Sequence, residues 1–193
     1  LAIAMIKEKS GSRSWTSVQA NVGSVSFQGI PGLTMSVDKT NVLINQEASD
    51  NTVINYLTDD SDTLGTDLSV AVGTDDSSVT QYVDFNLDGT RGDFLEVAGQ
   101  ATIDLFGVVK VDGGFAVSKS ANQTVYLSKD GSEQTSAVNT ELMTIGLYGV
   151  DALVGYDQDT EDKSDDVGFV LQDMNLAIAM IKEKSGSRSW TSV

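Results

Sequence analysis

The chain contains no cysteine and no histidine, a single proline, and only 7% aromatic residues. Without cysteine there is no disulfide framework. Without cysteine and histidine, the usual zinc sites and every histidine-based catalytic dyad or triad are excluded. Positive charge is also scarce: 12 Lys and Arg stand against 28 Asp and Glu, a net −16 over 193 residues. Nucleic-acid affinity rests mainly on Lys and Arg at phosphates, so no nucleic-acid partner is expected. No apolar run approaches the ~20 residues that span a bilayer, and no membrane insertion is expected. Yet 40% of the residues are hydrophobic and well mixed with the charges. That mixture is too apolar for disorder, and the length allows a sizeable core. The balance is that of an acidic, soluble, secreted protein.

What is present is, first, a repeat. Residues 1–18 and 176–193 both read LAIAMIKEKSGSRSWTSV, identical at all 18 positions. Leu1 corresponds to Leu176, so the period is 176 − 1 = 175 residues. The expected organisation is one period of a tandem array (1–175) followed by the start of the next (176–193). A deliberately duplicated terminal segment is the alternative. Removing the second copy takes away Lys182, Lys184, Arg188 and Glu183, leaving 27 acidic and 9 basic residues, −18 per period. Such self-repulsion keeps chains soluble and apart. No Pro-, Gly- or Ser-rich linker precedes the second copy, so neighbouring units are expected to pack directly or share strands.

The dominant periodicity is two, the mark of strands. Val83, Phe85 and Leu87 alternate with Asp84, Asn86 and Asp88. Ala101–Leu105, Val109–Val111, Leu33–Val37 and Thr124–Leu127 alternate likewise. Turn residues punctuate them at Ile30-Pro31-Gly32, Asp88-Gly89, Asp112-Gly113-Gly114 and Asp130-Gly131. Residues 176–184 are good helix formers, but Leu176, Ile178 and Met180 keep strand alternation; a strand is predicted, with a bulge or turn near Asp173-Met174-Asn175. An apolar–x–apolar–x–Gly–apolar form recurs at Val25–Ile30, Ile103–Val108 and Ile145–Val150, which suggests a repeated strand-bending device. The predicted fold is all-β, with mainly antiparallel strands in an elongated sandwich-like or solenoid-like repeat stacked end to end. About twelve strands per period at ~4.8 Å each advance roughly 55–60 Å in one layer, or about half that in two.

Acidic clusters are the candidate chemistry. Asp157, Asp159 and Glu161 alternate within a stretch of six carboxylates and one lysine, a spacing that suits the oxygen-rich shell of calcium. Asp84-x-Asn86-x-Asp88-Gly89 matches the opening of an EF-hand loop, although Leu95 stands where that loop needs glutamate. Each has a simpler reading, a solvated loop for the first and the polar face of a strand for the second. Asp59-Asp60-Ser61-Asp62 with Asp67, and Asp75-Asp76, are looser clusters. Arg91-Gly92-Asp93 is an integrin-type tripeptide, and Asn122-Gln123-Thr124 is a glycosylation sequon; both are short enough to arise by chance. Trp15, repeated as Trp190, suits a core or an interface between units better than sugar stacking. No catalytic residue and no cofactor-binding motif stands out, and an enzyme is not expected.

The exact long repeat, the Asp/Thr/Ser/Gly/Val-rich strands, the missing cysteine and the segment Ser14–Val37 resemble the repeat regions of very large bacterial extracellular proteins: giant adhesins, biofilm-matrix proteins and surface fibres. The glycine-rich nonapeptide of calcium β-rolls is not there. The resemblance implies an extracellular or cell-surface location, a structural or adhesive role and often calcium stiffening. The first expectation is a non-catalytic structural repeat unit of a long extracellular fibre or stalk, whose partners are neighbouring identical repeats. The alternative is a calcium-stiffened adhesin module that binds glycans or a partner surface.

Overall fold

The computed structural model describes residues 1–27, 29–57, 65–129, 131–156 and 167–193. The chain is all-β and antiparallel. Among the described residues the ten strands are β1 (Ala2–Lys7), β2 (Ser14–Phe27), β3 (Leu33–Gln46), β4 (Ser69–Thr74), β5 (Thr80–Asp84), β6 (Phe94–Leu105), β7 (Val109–Lys129), β8 (Ser132–Tyr156), β9 (Val167–Glu183) and β10 (Ser189–Ser192). Eight form one open sheet in the order β1-β2-β3-β6-β7-β8-β9-β10, so β1 and β10 are its two edges. The remaining pair, β4-β5, is a separate hairpin. It arises between β3 and β6, which pair with each other while the chain between them leaves the sheet.

The strand predicted at 176–183 is the second half of β9, and the irregularity before it is real. Asp173 takes a positive φ of 51° where the pairing of β8 with β9 shifts register. Its N–H bonds the Asp151 carboxylate at 2.9 Å, and Asn175 accepts from the Gly149 N–H at 3.1 Å. These side chains satisfy backbone groups that the bulge removes from the ladder.

Two expectations need correction. The described residues of 1–175 hold fewer and longer strands than alternation suggested. Val109–Val111 and Thr124–Leu127 belong to one strand, the 21-residue β7, and β8 runs for 25 residues. Asp112-Gly113-Gly114 is not a turn but a register shift inside β7, opposite Asp151 and Tyr148. A Cβ on Gly113 would stand 2.9 Å from the Val150 Cα, so glycine there permits close strand approach where a turn had been expected. The recurring glycine form also divides. Gly29 and Gly107 have positive φ in the connections that follow β2 and β6, whereas Gly149 has positive φ at the bulge within β8.

The core lies at the β1 end. There the segment between β3 and β6 folds over one face of the sheet and brings Tyr56, Phe85 and Leu87 against Ala2, Ala4 and Phe94. Leu68, Val70 and Val83 of the β4-β5 region pack on the same cluster, which makes this end sandwich-like. The Tyr56 and Phe85 rings are tilted by 30° with centroids 5.0 Å apart. Alternation through residues 83–88 holds as read, with Phe85 and Leu87 buried and Asp84 and Asn86 exposed, although the ladder itself ends at Asp84.

Candidate functional site

The repeated 18-mer folds into the same hairpin twice. In the first copy Lys7 pairs with Ser14, Ile6 with Trp15, Met5 with Thr16 and Ala4 with Ser17. In the second Lys182 pairs with Ser189, Ile181 with Trp190, Met180 with Thr191 and Ala179 with Ser192. Adding 175 converts one register into the other. The turns are closed alike: Glu8 N–H donates to the Arg13 carbonyl at 3.0 Å, and Glu183 N–H to the Arg188 carbonyl at 3.0 Å. Each arginine then folds back on its glutamate, at 2.7 Å for Arg13–Glu8 and 2.6 Å for Arg188–Glu183. It also covers the tryptophan ring of its own copy, at 5.3 Å and 5.5 Å. The arginine hydrogen bond holds the Glu8 and Glu183 carboxyls below their ordinary range. Because all of these groups lie within one hairpin, local sequence is enough to specify them.

The two hairpins sit at opposite edges of the sheet, and their surroundings are complementary. The first has β3 on its second strand: Thr16 faces Gln46, Ser17 faces Asn45 and Val18 faces Ile44. Its first strand, β1, has no outer neighbour among the described residues. The second has β8 on its first strand, with Leu142 facing Ile181, Met143 facing Met180 and Thr144 facing Ala179. Its second strand, β10, has no outer neighbour among the described residues. Burial follows. Met5 is 83% exposed on the bare edge, while its counterpart Met180 is 36% exposed beside β8.

The covered face differs in the opposite sense. Ala2 and Ser17 are sealed, at 1% and 0% exposure. Their counterparts Ala177 and Ser192 are exposed. The seal comes from the segment that follows β3. The Tyr56 hydroxyl donates to Ser17 Oγ at 2.9 Å, and Ser17 Oγ donates to Asn45 Oδ1 at 3.1 Å. Asn45 Nδ2 donates to the Ile54 carbonyl at 2.8 Å. Gln19 bonds the Asp84 carbonyl and the Asn86 N–H, at 3.1 and 3.2 Å. Trp15 Nε1 reaches the Thr52 carbonyl at 2.9 Å, and Arg13 reaches Asp50 at 3.3 Å. Burial raises the Tyr56 pKa, with the Ser17 bond opposing it. This polar network was not singled out in the sequence. Its one visible signal was Ser17, Gln19 and Asn45 occupying alternating positions otherwise suited to apolar residues.

The candidate calcium ligands separate into two groups. Asp157, Asp159 and Glu161 lie outside the described residues, as does the Asp59–Asp62 cluster. Asp84 and Asn86 are exposed on the outer side of the extended segment. Asp88 caps a short 3-10 turn at Gly89–Arg91, accepting from the Thr90 hydroxyl at 2.6 Å and the Thr90 N–H at 2.8 Å. Those bonds hold its pKa below the ordinary aspartate value. Among the described residues no three acidic side chains gather as a metal-holding group. Arg91 pairs with Glu96 at 2.6 Å and lies 4.0 Å over the Phe94 ring, while Asp93 accepts from the Glu47 N–H at 3.3 Å. The tripeptide Arg91-Gly92-Asp93 is thus tied into the fold on both sides. Asn122 is exposed and accepts from Lys184 Nζ at 2.7 Å. Among the described residues no helix is long and apolar enough to cross a membrane. No protein-family model, curated protein or solved structure matches the chain.

Proposed function

We propose that this chain is a structural, non-catalytic repeat unit of a long extracellular fibre or stalk, whose partners are identical neighbouring units. One observation carries the reading. An identical hairpin occupies both edges of one sheet, and each copy has the neighbour that the other lacks. Superposing the second hairpin of one unit on the first hairpin of the next joins β8 of the former to β3 of the latter through a single copy. The sheet then continues without a break. Each junction also removes two bare edges, which are otherwise templates for uncontrolled pairing.

The geometry sets a length. One period contributes six strands to the main sheet, namely β2, β3, β6, β7, β8 and β9. At ~4.8 Å per strand the axial advance is about 29 Å per unit. Strands lie across the fibre and their backbone hydrogen bonds run along it, so tension between units is met by whole ladders acting together. The charge of −18 per period keeps neighbouring fibres hydrated and apart. Extracellular location follows from the resemblance drawn from the repeat, and it is part of the proposal.

Chains of two, four and eight units, imaged by electron microscopy, test this. Contour length is expected to rise by about 29 Å per unit at constant width. Increments above ~50 Å, or freely hinged beads, refute a shared sheet. Mass measurement of the native polypeptide under denaturing conditions supplies the companion test. A chain of one unit would leave only a duplicated terminus.

A further inference from the structure

The repeated hairpin is flanked by strand that it does not cover. β1 pairs with residues 14–19 of β2, and residues 20–27 of β2 have β3 alone beside them among the described residues. β10 pairs with residues 179–182 of β9, and residues 167–178 have β8 alone. Asn21 and residues 23–26 are exposed, as are residues 167–170. β9 prolongs the first strand of the hairpin backwards and β2 prolongs the second strand forwards, so the two extensions belong on the same side of the turn. Bare edges are normally blunted by charge or proline. Residues 20–27 carry neither, in a chain of net −16, and residues 167–175 carry one charge, Asp173.

We propose that residues 20–27 of β2 are the pairing edge for the first half of β9, residues 167–175, of a second copy of the chain. The inference deepens the fibre reading and rests on it. Carrying the Ala2–Gln19 register on past Leu1 sets the partners. Asn175 then stands opposite Asn21 of the second copy, Met174 opposite its Val22, Leu171 opposite its Val25 and Val170 opposite its Ser26. Two features of the sheet fit that register. A line of irregular backbone crosses the strands: Lys39 has a φ of 50° in β3, pairing shifts at Asp112/Gly114 between β7 and β8, and Asp173 has a φ of 51° in β9. Gly23 lies level with Lys39 and, in this register, opposite Asp173 as well. A Cβ at Gly23 would meet nothing within 4 Å among the described residues, so the bulge of β9 has room there. The second feature is an apolar row in which Met35, Ile103, Val111, Ala152 and Leu171 face one another in turn. It runs on into Val25, Val37 and Ala101 of the second copy. Val25, 56% exposed in the single unit, is then flanked on both sides. β2 becomes paired along all 14 of its residues, where β1 covers six.

Without native cysteine, an introduced pair of thiols has only itself to join. In a two-unit chain, residues 1–175 followed directly by 1–193, Val170→Cys is placed in the first unit and Ser26→Cys in the second. Leu171→Cys with Val25→Cys is the other in-register pair. Neighbouring pairs alternate between close and wide spacing, so one of the two suits a disulfide. Val170→Cys with Val25→Cys is the offset control, its thiols on opposite faces of the sheet. One in-register pair is expected to oxidise on the order of 10-fold faster than the offset pair. The same pairs within the 193-residue chain are expected to form no internal disulfide, because β3, β6, β7 and β8 separate β2 from β9. Equal rates for in-register and offset pairs, or no disulfide in either in-register pair, overturn the edge pairing. Small-angle scattering on the two-unit chain without cysteines separates this from the fibre reading. A ~29 Å increment without the disulfide sinks the edge pairing alone, and an increment above ~50 Å sinks the shared sheet with it.

Discussion

One substitution made at both ends of the molecule isolates what tertiary packing adds. Ser17→Ala and Ser192→Ala change the same residue, in the same 18-residue context, at the same position of the same hairpin. Strand propensity, turn effects and the unfolded chain are matched between the two. Ser17 Oγ lies between the Tyr56 hydroxyl at 2.9 Å and Asn45 Oδ1 at 3.1 Å, with Ser17 and Asn45 both fully buried. Removing it strands a donor and an acceptor, each at about 1–2 kcal/mol, so Ser17→Ala is expected to destabilise by about 2–4 kcal/mol. For a chain of this size that lowers the melting temperature by roughly 5–15 °C. Ser192 is exposed and has no lobe against it, so Ser192→Ala is expected to stay within about 0.5 kcal/mol. Thermal and urea denaturation followed by circular dichroism read both. Equal effects in the two variants would refute the asymmetry, and with it the claim that the lobe seals one copy and not the other.

Other perturbations bear on separate parts of the sheet. Thr40 Oγ1 is buried and has no hydrogen-bond partner among the described residues, so Thr40→Val, of nearly the same shape, is expected to be neutral or to stabilise by about 1 kcal/mol; urea midpoints check it. Gly155 and Gly168 face each other across β8 and β9, and a Cβ on Gly155 would stand 2.7 Å from the Gly168 Cα. Gly155→Ala is therefore expected to cost about 1–3 kcal/mol and to speed amide exchange around residues 153–156 and 167–170. The carboxyls of Glu8, Glu183, Asp50 and Asp88 are all lowered in the folded chain, first by side-chain hydrogen bonds from Arg13, Arg188, Thr52 and Thr90 respectively. Their stabilisation is present above the unfolded values near pH ~4 and is lost as pH falls through the lower folded values. Acid titration by NMR is expected to show all four protonating below exposed Asp and Glu. Midpoints at or above those of exposed carboxyls would contradict the hydrogen bonding described.

Much of this was legible in the chain. Period-two alternation marked β3, β5 and β6, and it decided correctly for strand over helix at residues 176–183, where helix propensity pointed the other way. The bulge at Asp173 was anticipated because Asp-Met-Asn interrupts two apolar alternations. The number of strands was not legible. A bulge and a turn draw on the same residues, and Asp112-Gly113-Gly114 became a bulge because Val150 and Tyr148 stand opposite it. The network around Ser17 was hidden for a related reason: a serine in a strand is read as solvent-facing unless a partner is known. Its partners here are 28 and 39 residues away.

The sequence by itself determined the hairpin, because its pairing, its turn and its arginine clamp all lie within 18 residues. It carries the 175-residue spacing of the two identical segments on its face, and it determined the strand character because period-two alternation is a local pattern. Only the tertiary structure decided that identical segments have opposite exposures. Burial depends on which distant strand or lobe arrives, and a segment does not encode its neighbours. The molecule therefore carries the same hairpin as a sealed joint at one end and an open one at the other.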